Sequence, residues 1–372
     1  MSIKFLKPQY PYNLLFFIFV ASISFRFTGL VNWMYFFGDQ AWYLFSARDA
    51  LLNGNLPILG ITSSITWLHQ GPLWTYLLIP VLAIARFNPV AASIFMIILS
   101  LAGILLAYYL GTRLKGRQSG LIYASLLGGF YFSVIHSRLA YHTSPIPWLF
   151  IITFLLFISG KFFLSGIFLG LLYQSHLLTF IYWPIFWILV WRLKLKVDYL
   201  GLFVGFLIGI LPFIIAGPIQ SFGIFIWVLS RLFFGIQSVG LISESYLVVL
   251  LAPACLLISL FIPHIKPKTL FGLVVVFFLA NYSLLLTTNY FSSAQKSGLP
   301  FSTKSKISDE IFRLSRTTNP IITTTGPGDE FPTTKLPYTF LVWRKHFLGQ
   351  SVSGHYSIFS VDEISAAVRV IE

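Results

Sequence analysis

The chain is built around apolar runs whose lengths suit a lipid bilayer. Several of these runs reach or approach the roughly 20 residues that a helix needs to cross about 30 Å of hydrocarbon. Only 10% of the 372 residues are charged, whereas a soluble domain is nearer a quarter charged because its surface faces water. The sequence therefore predicts an all-α polytopic protein that crosses the cell membrane several times.

The basic residues predict the orientation of the chain. A net charge of +14 raises nucleic acid as a partner, but Lys and Arg stand in short clusters between apolar runs, which is the positive-inside pattern. Lys4 and Lys7 place the N-terminus in the cytoplasm. The run 72–85 covers only about 21 Å as a helix, so we interpret it as juxtamembrane. Every later cluster then falls inside, and we expect membrane lipids but no nucleic acid as partners.

The remaining runs predict about nine transmembrane helices. An odd number places the C-terminus outside the cytoplasm. We expect a transmembrane domain over 1–290, a long first extracytoplasmic loop with juxtamembrane helices over 32–89, and a small α/β extracytoplasmic domain over 291–372. The predicted spans are 12–31, 90–111, 119–135, 145–160, 162–177, 178–191, 199–216, 246–262 and 269–289; an interfacial segment is predicted over 217–237, helices over 305–316 and 361–371, strands over 320–325 and 354–359, and a turn over 326–329.

Carboxylates are scarce before the predicted C-terminal domain, residues 291–372, which we call the tail. The first 300 residues contain Asp39, Asp49, Asp198 and Glu244, and only Asp198 is predicted to lie on the cytoplasmic side. If the protein performs acid–base chemistry at the outer face, its choice of base is narrow. Asp39 follows the first helix directly and is our candidate base. It also suits the cap of a helix over 40–52, and the two roles are compatible.

Four basic side chains stand in polar stretches between apolar runs. His69 opens the short juxtamembrane helix, Arg138 and His142 lie in the third outer turn, and His176 separates helices five and six. Each also has a structural interpretation, as a snorkelling arginine or a turn histidine. The histidines lack the short spacing of metal ligands, and the single cysteine, Cys255, excludes a disulfide framework. We therefore predict no cofactor, and a divalent metal has no support in the sequence.

The order of three motifs resembles the GT-C superfamily of membrane glycosyltransferases, in particular the protein O-mannosyltransferases and lipid A aminoarabinose transferases. The first motif is Gly38-Asp39 through Tyr43, followed by Ala47-Arg48. The second runs from His69 to Leu73, and the third is the basic turn from Gly111 to Gly120. The likeness covers about 12–190. Many relatives have an acidic residue before the proline of the third outer turn, where this chain has Thr143-Ser144-Pro145.

The resemblance implies an inverting transfer of a sugar from a polyprenyl-phosphate donor to a hydroxyl of a lipid, glycan or protein acceptor, at the extracytoplasmic face. Asp39 would be the base that activates the acceptor. Arg138, with His69 or His176, would stabilise the leaving phosphate. Further substrate contacts are expected from Arg48, Asp49, His142 and Glu244.

Other functions remain open at this stage. A transporter or flippase of lipid-linked sugars predicts charged residues along a path inside the spans, where Arg26 is the nearest example. A polysaccharide polymerase or ligase would carry similar motifs. A structural subunit would make Asp39 dispensable.

Overall fold

The computed structural model of the chain describes residues 9–62, 67–194, 196–221, 223, 244–287, 299–317, 319–326, 329, 332–352 and 354–371. Most of the predicted interfacial segment, the centre of the predicted turn at 327–328 and the side chain of Glu244 lie outside the described residues.

The described chain is mostly helical and carries one small sheet, as the sequence predicts. Its helices are α1 (Gln9–Phe27), α2 (Leu30–Trp33), α3 (Gly38–Asn53), α4 (Leu73–Ile84), α5 (Pro89–Lys115), α6 (Arg117–Gly129), α7 (Tyr131–Arg138), α8 (Ile146–Ile158), α9 (Phe162–Ser175), a 3-10 helix (Leu177–Ile181), α10 (Tyr182–Leu193), α11 (Tyr199–Gly209), α12 (Leu211–Ala216), α13 (Glu244–Phe261), α14 (Pro267–Thr287), α15 (Phe301–Leu314) and α16 (Leu336–Phe347); its strands are β1 (Ile321–Thr325), β2 (Ile358–Asp362) and β3 (Ala367–Val370).

Two described helices, α5 and α14, are long and apolar enough to cross a membrane by length and composition. The pair α6 and α7 passes the same test as one span bent by 59°. Each predicted span coincides with described helices, but most of these are shorter apolar helices of 10–17 residues. The count of nine therefore stays a prediction. Helix α4 has 12 residues and covers about 18 Å, well short of the hydrocarbon thickness.

The bend between α6 and α7 is held by a buried arginine from α1. A helix leaves its last carbonyls without intrahelical partners, and in an apolar interior such groups need other donors. Arg26 is fully buried and donates to the carbonyls of Leu127 (2.9 Å) and Gly128 (2.7 Å) at the end of α6. On the other side of the bend, the N–H of Tyr131 donates to Asn281 Oδ1 of α14 at 2.9 Å.

Close helix packing fixes the end of α9. A Cβ on Gly170 would lie 2.5 Å from the α-carbon of Gly209 in α11, so small residues let the two backbones approach closely. One turn later, Gln174 Nε2 donates to the carbonyl of Gly209 at 2.5 Å. This contact sets the position of the polar residues that follow in the chain.

The tail packs around a buried ion pair. Its sheet has the order β1-β2-β3, with β1 parallel to β2 and β3 antiparallel to β2. Glu363 Oε1 accepts from Lys304 Nζ at 2.8 Å and from the Tyr338 hydroxyl at 2.6 Å, while Oε2 accepts from the N–H of Leu299 at 2.9 Å. One carboxylate thus joins β2, α15, α16 and the start of the described tail.

The predicted helix over 361–371 is wrong. Asp362 ends β2, and its carboxylate accepts from the N–H groups of Ile364 and Ser365 and from the Ser365 hydroxyl. This local bonding turns the chain, and Val368 then pairs with Val361 across the sheet. Short polar side chains compete with helical bonding in this way. Helix α16 (Leu336–Phe347) was not among the predicted elements.

Replacing Arg26 with Met is expected to destabilise the protein by about 2 kcal/mol or more, because buried carbonyls lose their donors. Thermal unfolding in detergent measures the effect. Arg113→Met is the matched control, since Arg113 is exposed and donates only to the Ser159 hydroxyl at 2.7 Å. Equal melting temperatures for the two variants would contradict this role of Arg26.

Candidate functional site

Asp39 lies in the first turn of α3. Phe37, two residues before Asp39, has an extended backbone and caps the helix. Its N–H donates to Gln40 Oε1 at 3.2 Å, and α3 therefore begins at Gly38. Asp39 Oδ2 accepts a hydrogen bond from the Tyr141 hydroxyl at 3.2 Å. Burial raises the pKa of Asp39, and the Tyr141 hydrogen bond opposes that shift. The carboxylate is therefore a stronger base than a solvated aspartate.

Four aromatic rings form a connected row that begins beside this carboxylate. They belong to Tyr43 in α3, Tyr141 and His142 in the turn after α7, and His176 at the end of α9. Tyr43 is one turn after Asp39 and lies 6.4 Å from Tyr141 and 5.6 Å from His142, between ring centroids. The rings of His142 and His176 are 6.1 Å apart and parallel within 3°. The structure thus brings three predicted site residues, Asp39, His142 and His176, into one cluster.

Both histidines of the cluster are buried. Burial, with the neighbouring His176 ring, lowers the pKa of His142 well below its ordinary value. His176 Nδ1 accepts from the N–H of Leu178 at 3.2 Å, so in the neutral ring the proton is on Nε2. Neutral imidazoles can donate and accept hydrogen bonds but bring no charge next to Asp39.

The loop before α4 docks onto the end of α9. The N–H of Gly71 donates to the carbonyl of Gln174 at 2.8 Å, and a Cβ on Gly71 would lie 2.4 Å from Gln174 Cβ. The N–H of His69 donates to Gln220 Oε1 at 3.1 Å, and burial lowers the pKa of His69. His69 therefore lies on the loop that borders Gln174 and His176.

Arg48 and Asp49 lie elsewhere on α3. At 100° per residue, Arg48 is half a turn around the helix from Asp39. Its Nη2 is 2.5 Å from Asp49 Oδ1, and its guanidinium lies over the rings of Phe45 and Trp343 at 4.5 and 4.9 Å. These two predicted site residues therefore contact each other and the tail.

Arg138 is also placed away from the Asp39 carboxylate. Its side chain is 2% exposed, and Nη1 donates to the carbonyls of Phe25 (3.3 Å) and Thr28 (3.0 Å) at the end of α1. In the described structure this arginine joins α7 to α1.

No role was predicted for Tyr43, which ends the first motif, or for Tyr141, which lies in the third outer turn beside His142. Their contact depends on the distance between α3 and the turn after α7, which no local pattern reports. In the described part of the chain, no group of three His, Cys, Asp or Glu residues is placed to hold a metal ion.

The tail packs directly against the start of α3. A Cβ on Gly38 would lie 2.4 Å from the carbonyl oxygen of Thr333. Further along, Phe45 contacts Phe340 at 5.1 Å and Arg48 contacts Trp343. Because the contacts advance in step along both segments, α16 runs parallel to α3. The tail thus fixes the helix that carries Asp39.

The fold is similar to that of two solved ArnT structures. The crystal structure of ArnT from Cupriavidus metallidurans bound to undecaprenyl phosphate matches with a TM-score of 0.55 over 92% of this chain and 89% of that chain, at 10% identity. ArnT in the apo state matches with a TM-score of 0.56 and the same coverage and identity. The apo oligosaccharyltransferase of Archaeoglobus fulgidus matches more weakly, with a TM-score of 0.41 over 83% of this chain and 38% of that chain, at 16% identity. No family model and no curated protein matches the sequence.

The two ArnT likenesses show that the chain has the ArnT fold. The fold expected from the resemblance to GT-C transferases is confirmed.

Gly38→Ala is expected to displace the tail from α3, because the added methyl group would overlap the Thr333 backbone. Limited proteolysis should then cut the tail faster, and the melting temperature should fall. Gly272→Ala in α14 is the control, since its Cβ would meet no atom within 4 Å. Equal proteolysis rates in the two variants would rule out this packing role.

Proposed function

We propose that this protein is an inverting membrane glycosyltransferase that moves a sugar from a polyprenyl-phosphate donor to an acceptor hydroxyl at the extracytoplasmic face. The observation that carries the proposal is the half-buried Asp39 carboxylate, hydrogen-bonded by Tyr141 in a chain with the ArnT fold. ArnT was solved with undecaprenyl phosphate bound, which supports a lipid-phosphate donor here. The acceptor class, a lipid, a glycan or a protein, stays open.

The proposed reaction is a single displacement at the anomeric carbon. Asp39 accepts the proton of the acceptor hydroxyl while that oxygen attacks the face of the sugar opposite the phosphate. The bond from the anomeric carbon to the phosphate oxygen breaks, and the electron pair leaves with polyprenyl phosphate. Asp39 then releases its proton to water. One carboxylate suffices, which agrees with the absence of an acidic residue at Thr143-Ser144.

Burial and hydrogen bonding suit Asp39 to this role. A general base works best when its pKa lies near the operating pH, and burial moves the pKa of Asp39 in that direction. Tyr141 keeps the carboxylate oriented through Oδ2 and leaves Oδ1 for the acceptor. Tyr43 and the neutral His142 contribute no charge that would compete for the proton.

The other predicted site residues are proposed to contact the donor, its phosphate or the acceptor. His69 and His176 border the same cluster and would contact the donor. Arg48 and Asp49, on the tail side of α3, would contact the acceptor. Arg138 would contact the phosphate while its Nη1 donates to carbonyls at the end of α1. Glu244 keeps its proposed substrate contact without a described geometry.

Transport is the weaker alternative. A transport path predicts buried charged groups that face a cavity. Arg26 and Arg138 are buried, but both donate to backbone carbonyls at helix ends. These bonds give the two arginines a structural role. A polymerase or ligase would use the same base and differ only in its acceptor.

Asp39→Asn is expected to lower sugar transfer from a polyprenyl-phosphate donor at least about 100-fold, as expected when a general base is removed. The melting temperature should stay equal or rise, because a buried carboxylate is replaced by a neutral group. Release of radiolabelled polyprenyl phosphate measures turnover. Asp309→Asn, which removes an ion-pair partner of Lys345 in the tail, is the control. Wild-type turnover by Asp39→Asn would exclude the proposed base.

Transfer is also expected to fall at acidic pH. The base must be ionised, so activity is lost as the pH drops through the raised pKa of Asp39. Tyr141→Phe removes the hydrogen bond that lowers this pKa. The acidic limb of the kcat profile should therefore move to higher pH in Tyr141→Phe. A profile that matches the wild type would show that Tyr141 does not tune the base.

A further inference from the structure

Several buried polar atoms around the cluster have no hydrogen-bond partner among the described residues. Three of them are the side-chain oxygens of Gln70 and Gln174 and the Nδ1 atom of His142; the others include His69 Nδ1 and the hydroxyl groups of Tyr43, Thr143 and Ser144. The three side chains are 5%, 4% and 4% exposed. Buried polar groups in native proteins are nearly always hydrogen-bonded. Three such atoms at one end of the helices point to a ligand that supplies partners.

The three atoms belong to elements that are joined to each other. Gln70 precedes Gly71, whose N–H donates to the carbonyl of Gln174. The Nε2 atom of Gln174 is occupied by the carbonyl of Gly209, which fixes the amide so that Oε1 is its remaining acceptor. Two residues after Gln174, the ring of His176 lies parallel to that of His142.

The same elements connect this group to Asp39. The His142 and Tyr141 rings are 4.1 Å apart, and Tyr141 donates to the Asp39 carboxylate. The ring of Tyr43 lies 5.6 Å from that of His142. Gln174 is thus connected to the proposed base through His176, His142 and Tyr141.

The chemistry of the three atoms is uniform. Amide oxygens only accept hydrogen bonds, and a neutral imidazole nitrogen accepts or donates one. Sugar hydroxyls supply the matching O–H groups. A cationic amino sugar would instead seek a carboxylate, and Asp39 would then be paired when it should act as the base. An acidic sugar would face two amide oxygens and Asp39, which repel it.

We propose that the donor carries an uncharged sugar whose hydroxyls bind Gln70 Oε1, Gln174 Oε1 and His142 Nδ1. This inference rests on the proposed function and adds the class of sugar and the residues that select it. A site built to bond substrate hydroxyls discriminates strongly against an analogue that leaves those buried groups unpaired. Selection here would come from neutral acceptors and not from charge.

Binding of the donor to the full-length protein in nanodiscs tests the inference without an acceptor. The probes are undecaprenyl phosphate, undecaprenyl-phosphate glucose and an undecaprenyl-phosphate amino sugar. The wild type is expected to bind the glucose donor about tenfold more tightly than undecaprenyl phosphate alone, as one or two hydrogen bonds would give. It should also prefer the glucose donor to the amino-sugar donor.

Gln70→Met removes the acceptor at similar volume. This variant is expected to lose about tenfold in affinity for the glucose donor and to bind undecaprenyl phosphate as the wild type does. Gln174→Met should likewise lose affinity for the glucose donor and keep that for undecaprenyl phosphate. Gln70→Glu should gain affinity for the amino-sugar donor, because it adds a carboxylate. Gln350→Met, an exposed position in the tail, is the control with the same chemical change.

The outcomes separate the two proposals. Tighter binding of the amino-sugar donor by the wild type, or unchanged glucose-donor binding by both Met variants, would overturn the inference and leave the proposed function intact. Failure of the wild type to bind any of the three undecaprenyl-phosphate probes would contradict the proposed function. If Gln70→Met melts early, Gln174→Met and Gln70→Glu decide the question.

Discussion

The described fold depends on hydrogen bonds between arginines and backbone carbonyls inside an apolar bundle. Breaking the α6–α7 span exposes carbonyls that lipid cannot satisfy. Arg26 reaches from α1 to the end of α6, and Arg138 reaches from α7 back to the end of α1. Their bonds to carbonyl dipoles offset the loss of hydration of two buried guanidinium groups, so the bend has one position.

That bend determines where the candidate site forms. Helix α7 ends at Arg138, and the turn that follows carries Tyr141 and His142 to α3. A straight span would direct these residues along the bundle axis, away from Asp39. The close packing of α9 on α11 then brings His176 and Gln174 to the same place from the other side. The site is thus assembled by two features of the bundle, the bend between α6 and α7 and the close packing of α9 on α11.

The electrostatic character of the site follows from its burial. Desolvation raises the pKa of Asp39 and lowers that of His142. The result is one basic carboxylate beside neutral hydrogen-bonding rings. The tail adds rigidity, because the Glu363 network orders α15 and α16 and α16 then lies along α3. Glycine at position 38 lets the two backbones meet where Asp39 begins its helix.

The sequence by itself determined the membrane class, the positions of most helices, the scarcity of carboxylates and the choice of Asp39. These features depend on hydropathy and residue counts along the chain, which are local properties. Only the tertiary structure decided that Arg138 joins α1, that Arg48 pairs with Asp49 and meets the tail, and that Tyr141 bonds to Asp39. It also decided that the loop after Gln70 docks onto Gln174. The strand pairing of 367–370 was also decided by a distant partner, β2. In each case the physical reason is that a side chain takes its role from groups far away in sequence, whose proximity depends on a helix bend or a close packing of glycines.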